Sequence, residues 1–215
     1  MSRKTVFGIV PSRRLGQSLG ISPIPRKTCN YSCVYCQLGR TTNYARERKE
    51  YFSLELILKE LSEFLSSVDP SEYDVVTVVG DGEPTLYSRL HELVCSIKQM
   101  QQKPVAIISN GSLLKNAQVF QALLDFDIVL LNFDAWDQSS HRKISRPLKS
   151  IKFEEKYESY IKFSEKFTGL LYLEVMLIQD LNDNEDSVSK IAQLIKPLKP
   201  HMVFVNAPVR PPAEE

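Results

Sequence analysis

The chain has 215 residues, of which 43% are hydrophobic and 25% are charged, and its formal net charge is +1. This composition is typical of one folded domain and argues against an intrinsically disordered chain. No stretch reaches the roughly 20 apolar residues of a membrane-spanning helix, and the apolar run before Pro11 is too short for a signal peptide. We therefore expect a cytoplasmic protein without membrane association.

Strand and helix patterns alternate along most of the chain. Short β-branched runs indicate strands, and apolar residues at helical spacing indicate helices. In chain order the sequence predicts a strand at 19–24, a helix at 54–65, a strand at 74–79, a helix at 86–101, a strand at 104–109, a helix at 116–124, a strand at 127–133, a helix at 150–167, a strand at 170–178, a helix at 185–195 and a strand at 201–205.

This alternation implies parallel βαβ units with right-handed crossovers. About six strands are too few for a closed eight-stranded barrel, so the residues leave two architectures open, a doubly wound sheet and a partial barrel. We expect a single domain over residues 1–215, with an N-terminal extension at 1–18, the strands and helices at 19–206 and a tail at 207–215. In either architecture the site lies at the carboxyl ends of the strands, where four loops would meet: 29–36, 80–84, 109–111 and 132–134.

Three of the four cysteines stand close together, at Cys29, Cys33 and Cys36. Thiolate is the usual ligand of a cubane iron–sulfur cluster, and soft sulfur selects iron–sulfur or zinc over hard cations. Three thiolates would hold three corners of a cubane and would leave one iron open to a substrate.

A structural zinc site is the alternative, and it needs four ligands. The fourth would come from Cys95 or from a distant histidine. Cys95 lies in an amphipathic helix, where a buried and inert thiol is expected, and the three histidines show no metal-ligand spacing with one another. A disulfide is disfavoured in the cytoplasm. A non-catalytic zinc or iron–sulfur binding module therefore stays open beside an enzyme.

The order Cys-x-x-x-Cys-x-aromatic-Cys resembles the signature of the radical S-adenosylmethionine (radical SAM) superfamily. Gly82, Glu83 and Pro84 resemble its Gly-Glu-Pro motif, although Asp81 interrupts the usual pair of glycines. Other segments resemble a narrower group of short iron–sulfur oxidoreductases related to the radical SAM enzyme of tRNA wyosine biosynthesis. These segments are residues 11–16, 37–40, 109–111, 146–147, 174–177 and 206–212.

The resemblance implies a partial (β/α)6 barrel, a [4Fe–4S] cluster on Cys29, Cys33 and Cys36, and SAM as the second cofactor. It implies that SAM chelates the open iron, that an electron from the cluster breaks its carbon–sulfur bond, and that the resulting 5′-deoxyadenosyl radical removes a hydrogen from a substrate. It also implies a low-potential electron donor such as ferredoxin or flavodoxin. A tRNA base and a small metabolite are the two candidate substrates.

Several residues are expected to contact the cofactors, among them Tyr35 at the aromatic position of the signature. Gly82, Glu83 and Pro84 match the motif that holds the methionine amino group of SAM. Glycine lets the backbone approach closely, and a carboxylate or carbonyl accepts from an ammonium; a strand-ending turn is the plain alternative. Asn110 ends the third strand and would bond SAM, unless its Asn-Gly pair serves only as a turn.

The later strands end in further candidates. Asp134, with Asn132, follows the fourth strand, where the family binds ribose, and a helix cap is the alternative. Arg146 would grip the SAM carboxylate, unless it is an exposed surface residue. Glu174 interrupts an apolar strand, so it points into the barrel mouth and contacts SAM or a substrate, or it belongs to a buried ion pair. Asn182 would contact adenosine or cap the next helix.

Positive charge is concentrated in the same part of the chain as the cysteines. Residues 1–50 carry ten Lys/Arg against two Asp/Glu, whereas the remainder carries seventeen against twenty-four. These cations would attract a phosphate backbone, a phosphorylated metabolite or an acidic partner, or they neutralise the thiolates and the SAM carboxylate. No RNA-binding module is recognisable. The basic residues that flank the cysteines are Arg13, Arg14, Arg26, Lys27, Arg40, Arg46, Arg48 and Lys49.

Overall fold

The computed structural model describes residues 4–214. Residues 1–3 of the predicted extension and Glu215 of the predicted tail therefore lie outside the described residues. In chain order the elements are β1 (Val6–Ser12), β2 (Gly16–Ile21), β3 (Thr28–Cys29), β4 (Asn43–Tyr44), α1 (Leu54–Leu65), β5 (Val75–Val78), α2 (Leu90–Met100), β6 (Val105–Ser109), α3 (Ala117–Leu124), β7 (Ile128–Asn132), α4 (Gln138–Ile144), α5 (Phe153–Lys166), β8 (Leu170–Met176), α6 (Glu185–Ile195) and β9 (Met202–Asn206), with short 3-10 helices at Pro70–Glu72, Pro84–Leu86 and Lys196–Leu198.

One sheet contains seven of these strands, in the order β1-β2-β5-β6-β7-β8-β9. β1 pairs with β2 in the antiparallel sense, and every later neighbour pair is parallel. A doubly wound sheet reverses its strand order at a switch point, whereas these strands follow chain order throughout. The topology confirms the partial barrel of six parallel strands.

The sheet is also curled. Arg14 lies in the turn between β1 and β2, and its guanidinium donates to the carboxylate of Glu174 in β8. β2 and β8 are four strand spacings apart in the sheet order, which is roughly 19 Å in a flat sheet. An arginine side chain cannot span that distance, so the sheet must bend until its two ends face each other.

Local sequence explains where most elements begin. The Ser53 side chain accepts from the amide of Leu56 and caps α1, as the sequence predicts. The buried face of that helix contains Ile57 and Leu61, one turn apart. β5 is buried at all four positions of Val75–Val78, because parallel strands carry helices on one face and the barrel interior on the other.

The sequence prediction lacks the two-residue strands β3 and β4 and two longer elements, β1 and α4. β1 lies within the predicted N-terminal extension. Gly8, at φ +94°, and Pro11 interrupt the strand pattern of its sequence. The register of its pairing with β2 shifts between Val6 and Gly8. An edge strand tolerates both features. α4 lies in a stretch read as a polar loop, where Asp137 and Ser140 form a capping box.

The predicted helix at 86–101 begins later, at Leu90, because Pro84–Leu86 forms a 3-10 turn first. Between residues 4 and 214, no helix is long and apolar enough to cross a membrane.

Candidate active site

The loop after β5 meets the cysteine loop (residues 29–36) at the carboxyl ends of the strands. Gly82 forms a bridge with Thr28, and the amide of Glu83 donates to the carbonyl of Thr28 over 3.1 Å. A Cβ atom on Gly82 would lie 1.8 Å from that carbonyl oxygen. Only glycine permits such a close approach to the main chain, so Gly82 sets where the cysteine loop begins.

The three thiols of the cysteine loop are free and partly buried, at Cys29, Cys33 and Cys36. The loop packs against the end of α4, where the amide of Val34 donates to the carbonyl of Ile144 over 2.9 Å. The loop is therefore held on both sides, by the glycine bridge at its start and by α4 at its middle.

The sulfur atoms lie in an environment that disfavours a lone thiolate. Burial, followed by the charge of Glu83, raises the pKa of Cys29 to about 12. Burial and the neighbouring Cys29 raise the pKa of Cys33 well above its ordinary value. Two donors face Cys29 Sγ, the amide of Tyr31 at 3.3 Å and the side-chain amide of Asn110 at 3.8 Å. Buried thiols that raise one another's pKa need a cation to become thiolates, so this donor set fits an iron–sulfur cluster.

Asn110 links the end of β6 to the cysteine loop. Its Nδ2 donates to Asn30 Oδ1 over 2.9 Å, and its Oδ1 accepts from the amide of Ser112 over 2.9 Å. Asn30 in turn donates to Ser112 Oγ over 2.7 Å. The predicted turn at Asn110 is confirmed, and its hydrogen bond to SAM stays a prediction.

Glu83 is buried, and its carboxylate is occupied by its own chain. Oε1 accepts from the amide and hydroxyl of Thr85 and from the hydroxyl of Ser109, and Oε2 accepts from the amide of Asn110 over 2.8 Å. Burial raises the pKa of Glu83, and these hydrogen bonds oppose that rise. The carboxylate predicted to hold the SAM amino group therefore joins the loop after β5 to the end of β6, and Pro84 begins the adjoining 3-10 turn.

Asp134 is buried and receives two donors from its own chain. Tyr35 Oη donates to Oδ2 over 2.6 Å, and the amide of Met176 donates to Oδ1 over 2.7 Å. Burial raises the pKa of Asp134 to about 6 despite both bonds. The predicted ribose ligand thus fastens the cysteine loop to the ends of β7 and β8.

Asn182 is fully buried, and its amide is used by main-chain groups. Nδ2 donates to the carbonyls of Asp134 and Met176, each over 2.9 Å, and Oδ1 accepts from the amide of Ile178 over 2.7 Å. Asn184, not Asn182, caps α6. The run at 181–184 therefore caps the next helix, as the alternative has it. The adenosine contact of Asn182 stays a prediction, although both of its amide protons are used inside the loop.

Glu174 points into the barrel and is paired there with Arg14, so the ion pair is confirmed, and its contact with SAM or a substrate stays a prediction. Its Oε1 accepts from Arg14 and, over 2.6 Å, from Asn206 Nδ2. Asn132 Nδ2 lies 3.5 Å from Oε2. A polar network therefore fills the interior at this level of the barrel.

Arg146 binds a carboxylate, but the carboxylate belongs to this chain. Arg146 and Arg40 both donate to Glu214, with Arg40 bidentate at 2.7 and 2.8 Å. These hydrogen bonds lower the pKa of Glu214 to about 2. The amide of Glu214 also donates to Val34 of the cysteine loop over 3.0 Å. Residues near the end of the tail therefore lie against the cysteine loop, and Arg146 adopts a φ of +46° there.

Sequence reasoning missed Lys156, a buried lysine on α5. Its Nζ donates to the carbonyl of Asn132 over 3.2 Å and lies over the rings of Tyr31 and Tyr160. Burial lowers its pKa to about 8, while Asp134 and other acidic groups of the site oppose that change. The signal was present, because Lys156 interrupts an aromatic face of α5 that was assigned to the core.

Cys95, the candidate fourth zinc ligand, lies apart from the cysteine loop. It is on α2, where its Sγ is 4.0 Å from His91 Nδ1. It is half-buried rather than fully buried, and it packs against the hydrophobic core, so the expectation of a buried thiol is corrected only in its degree of burial. The three histidines have no metal-ligand spacing with one another, as the sequence indicates. His91 and Cys95, however, are one helical turn apart on α2.

The chain resembles known proteins over nearly all of its length. Residues 24–194 match the family model of the Radical SAM superfamily. The chain is 41% identical over 209 residues to a UPF0026 protein of Methanocaldococcus jannaschii, covering 97% of this chain and 65% of that protein. It is 40% identical over 203 residues to GTPase Obg of Brachyspira hyodysenteriae, covering 94% of this chain and 30% of that protein. The chain thus spans less than two thirds of the length of these relatives.

A solved structure shows the same fold. The structure of anSMEcpe with bound AdoMet aligns with a TM-score of 0.67 at 17% identity, over 92% of this chain and 51% of that chain. The narrower relation to the wyosine enzyme stays a prediction. Since the family model covers most of the chain, the chain belongs to the radical SAM superfamily, whose members are enzymes that use a [4Fe–4S] cluster and SAM.

Proposed function

We propose that Cys29, Cys33 and Cys36 hold three irons of a [4Fe–4S] cluster and that the fourth iron binds SAM. The observation that carries the proposal is the close bridge between Gly82 and the start of the cysteine loop, which brings the loop to the carboxyl ends of the strands. The position of Cys95 beside His91 counts against the zinc alternative. Membership in an enzyme superfamily counts against a non-catalytic module.

The cluster, when bound, supplies the electron that cleaves the carbon–sulfur bond of SAM, and this cleavage starts hydrogen abstraction from a substrate. The chain's own part is to position the ligands and to adjust charge around them. The donors from Tyr31 and Asn110 to Cys29 Sγ stabilise its thiolate form. The buried ammonium of Lys156 offsets negative charge from Cys33 and Asp134.

We assign SAM binding to the mouth of the barrel, at the carboxyl ends of the strands. The role of each candidate residue there takes account of the hydrogen bonds that it already makes within the chain. The main chain of residues 82–84 would accept from the methionine ammonium, since the Glu83 carboxylate is already occupied. Tyr35, Asp134 and Asn182 act as positioning residues that hold the ends of β7 and β8.

Two further residues remain assigned to SAM itself. Glu174 lies inside the barrel within a network of side-chain donors, where it can face a polar part of the cofactor. Arg146 already binds one carboxylate, that of Glu214. It would bind the SAM carboxylate when Glu214 is released.

The test is anaerobic reconstitution with iron and sulfide, followed by dithionite and SAM. We expect 5′-deoxyadenosine and methionine from the wild-type chain and from Cys95→Ala, and neither product from Cys33→Ala. Cys95→Ala is the matched control, because it removes a thiol outside the cysteine loop. A fully loaded wild-type cluster that yields neither product would refute the proposal.

For the substrate, we propose a tRNA base or a small metabolite, and for the reductant of the cluster we propose a low-potential donor such as ferredoxin or flavodoxin. Four of the eight basic residues near the cysteines are engaged within the chain, one of them Lys49 over the ring of Tyr51. Arg14 pairs with Glu174, Arg40 pairs with Glu214, and Arg48 donates to main-chain carbonyls. These contacts occupy cations that would otherwise be available to a phosphate backbone, so they weaken the support for RNA.

The two substrate classes are separated by tRNA binding at low salt. If tRNA is the substrate, Arg13→Ala combined with Arg26→Ala weakens binding and flattens its salt dependence. The control pair, Lys59→Ala with Lys162→Ala, changes two lysines on outer helices and leaves binding unaltered. Absence of tRNA binding at low salt leaves the small metabolite.

A further inference from the structure

Three metal-ligating side chains meet outside the barrel mouth, between α2 and α3. His91 and Cys95 are four residues apart on α2, so they lie on the same face of the helix. Asp125 ends α3, and its amide bonds back to the carbonyls of Ala122 and Leu123. The donor atoms of His91, Cys95 and Asp125 all lie within 4.8 Å of one another.

The separations are close to those of ligands that share one ion. His91 Nδ1 is 2.8 Å from Asp125 Oδ2 and 4.0 Å from Cys95 Sγ. Around a tetrahedral Zn²⁺ the corresponding nitrogen–oxygen and nitrogen–sulfur distances are about 3.4 and 3.6 Å, from the usual bond lengths. Small side-chain rotations would therefore bring the three atoms to one ion without moving either helix.

The chemical types of these three side chains determine which metal ion they would bind. A thiolate with an imidazole suits Zn²⁺ and similar transition metals, whereas Mg²⁺ and Ca²⁺ prefer oxygen ligands. The side chain of His91 is 59% exposed, so solvent can supply a fourth ligand. The nearby cation Lys98 is paired with Asp127 at 2.7 Å, which reduces its repulsion toward a bound cation.

We propose that His91, Cys95 and Asp125 form a binding site for one Zn²⁺-like ion, separate from the cysteine loop. The ion would join α2 to α3 and would displace the proton of the Cys95 thiol. The simpler interpretation, a hydrogen bond between His91 and Asp125, gives Cys95 no role. The two interpretations therefore differ in what the Cys95 sulfur contacts.

The test adds one equivalent of Zn²⁺ to the cluster-loaded protein, with iron content measured before and after. We expect one zinc per chain after gel filtration, unchanged iron, and a zinc-edge X-ray absorption spectrum with one sulfur neighbour. The zinc edge reports this site without interference from iron. We also expect a higher melting temperature with zinc, because the metal binds the folded chain.

Two variants and one control complete the test. Cys95→Ser and His91→Gln should each lose the bound zinc and the zinc-dependent rise in melting temperature, whereas His201→Gln should keep both. His91→Gln changes an exposed side chain, so the test survives if Cys95→Ser fails to fold. Zinc retention in both variants, or a wild-type spectrum without sulfur, would overturn the proposal. Both variants should still cleave SAM, so failure here is distinct from failure of the proposed function.

Discussion

Replacing Gly82 with alanine tests whether the loop after β5 positions the cysteine loop. The new Cβ would stand 1.8 Å from the carbonyl oxygen of Thr28. An ordinary contact needs about 3.4 Å between such atoms, so one main chain must shift by roughly 1.5 Å. That shift also breaks the 3.1 Å bond from the amide of Glu83 to Thr28.

Overpacking against main chain costs about 1–3 kcal/mol, and a lost main-chain hydrogen bond costs about 1 kcal/mol more. We therefore expect Gly82→Ala to destabilise the chain by about 2–4 kcal/mol, which lowers the melting temperature by roughly 4–16 °C for a chain of this size. Because Cys29 directly follows Thr28, we also expect less iron to be retained after reconstitution.

The assays are thermal unfolding of the cluster-free chain and iron content after anaerobic reconstitution. Gly80→Ala is the milder control in the same loop, because its new Cβ would lie 3.0 Å from the flexible end of Ile24 and 3.1 Å from the carbonyl oxygen of Gly82, instead of 1.8 Å from main chain. If Gly82→Ala had the same melting temperature as Gly80→Ala and retained the same amount of iron, the proposed role of the glycine bridge would be refuted.

Three further predictions concern Lys156, His141 and Glu214. Lys156→Met removes a buried cation near Cys33 and Asp134, so a redox titration should show a more negative cluster potential, and an unchanged potential would contradict the assigned charge balance. Burial lowers the pKa of His141 to about 3. As the pH falls below about 6.5, the unfolded chain protonates this imidazole and the folded chain does not, so the free energy of unfolding decreases as the pH falls from 6.5 toward 3. His141→Gln should flatten the fall between pH 6.5 and 4 by on the order of 3 kcal/mol in urea unfolding, and an unchanged slope would exclude this cause. Glu214→Gln weakens the bonds to Arg40 and Arg146, so amide exchange in the tail and in the cysteine loop should become faster; identical exchange would show that this carboxylate does not hold the tail.

The alternation of elements was predictable because the central strands are short apolar runs and because Ser53, Asn116 and Asn184 cap α1, α3 and α6. The helix Glu185–Ile195 begins and ends where the sequence predicts. β1 was not predictable in the same way, since Gly8 and Pro11 interrupt its pattern and its stability comes from pairing with β2 and from contact with α1, where the amide of Val6 donates to Glu60. α4 has few apolar residues, so helical periodicity could not reveal it.

The sequence predicted which residues lie at the site better than it predicted what each of these side chains contacts. The cysteine spacing and the strand-end positions of Glu83, Asp134 and Glu174 identify the mouth of the barrel. Whether each side chain is available depends on partners distant in sequence, such as the amide of Met176 that bonds Asp134. Such partners are determined by the folded chain, so local sequence could not show that these carboxylates are already occupied.

The central claim is a cluster held by three cysteines with one iron available to SAM. Electron paramagnetic resonance of the reduced, reconstituted protein, with and without SAM, tests it most directly. The account predicts a [4Fe–4S] signal that changes when SAM is added and that is lost with Cys29→Ala, Cys33→Ala or Cys36→Ala. A reduced cluster whose signal is identical with and without SAM would contradict it.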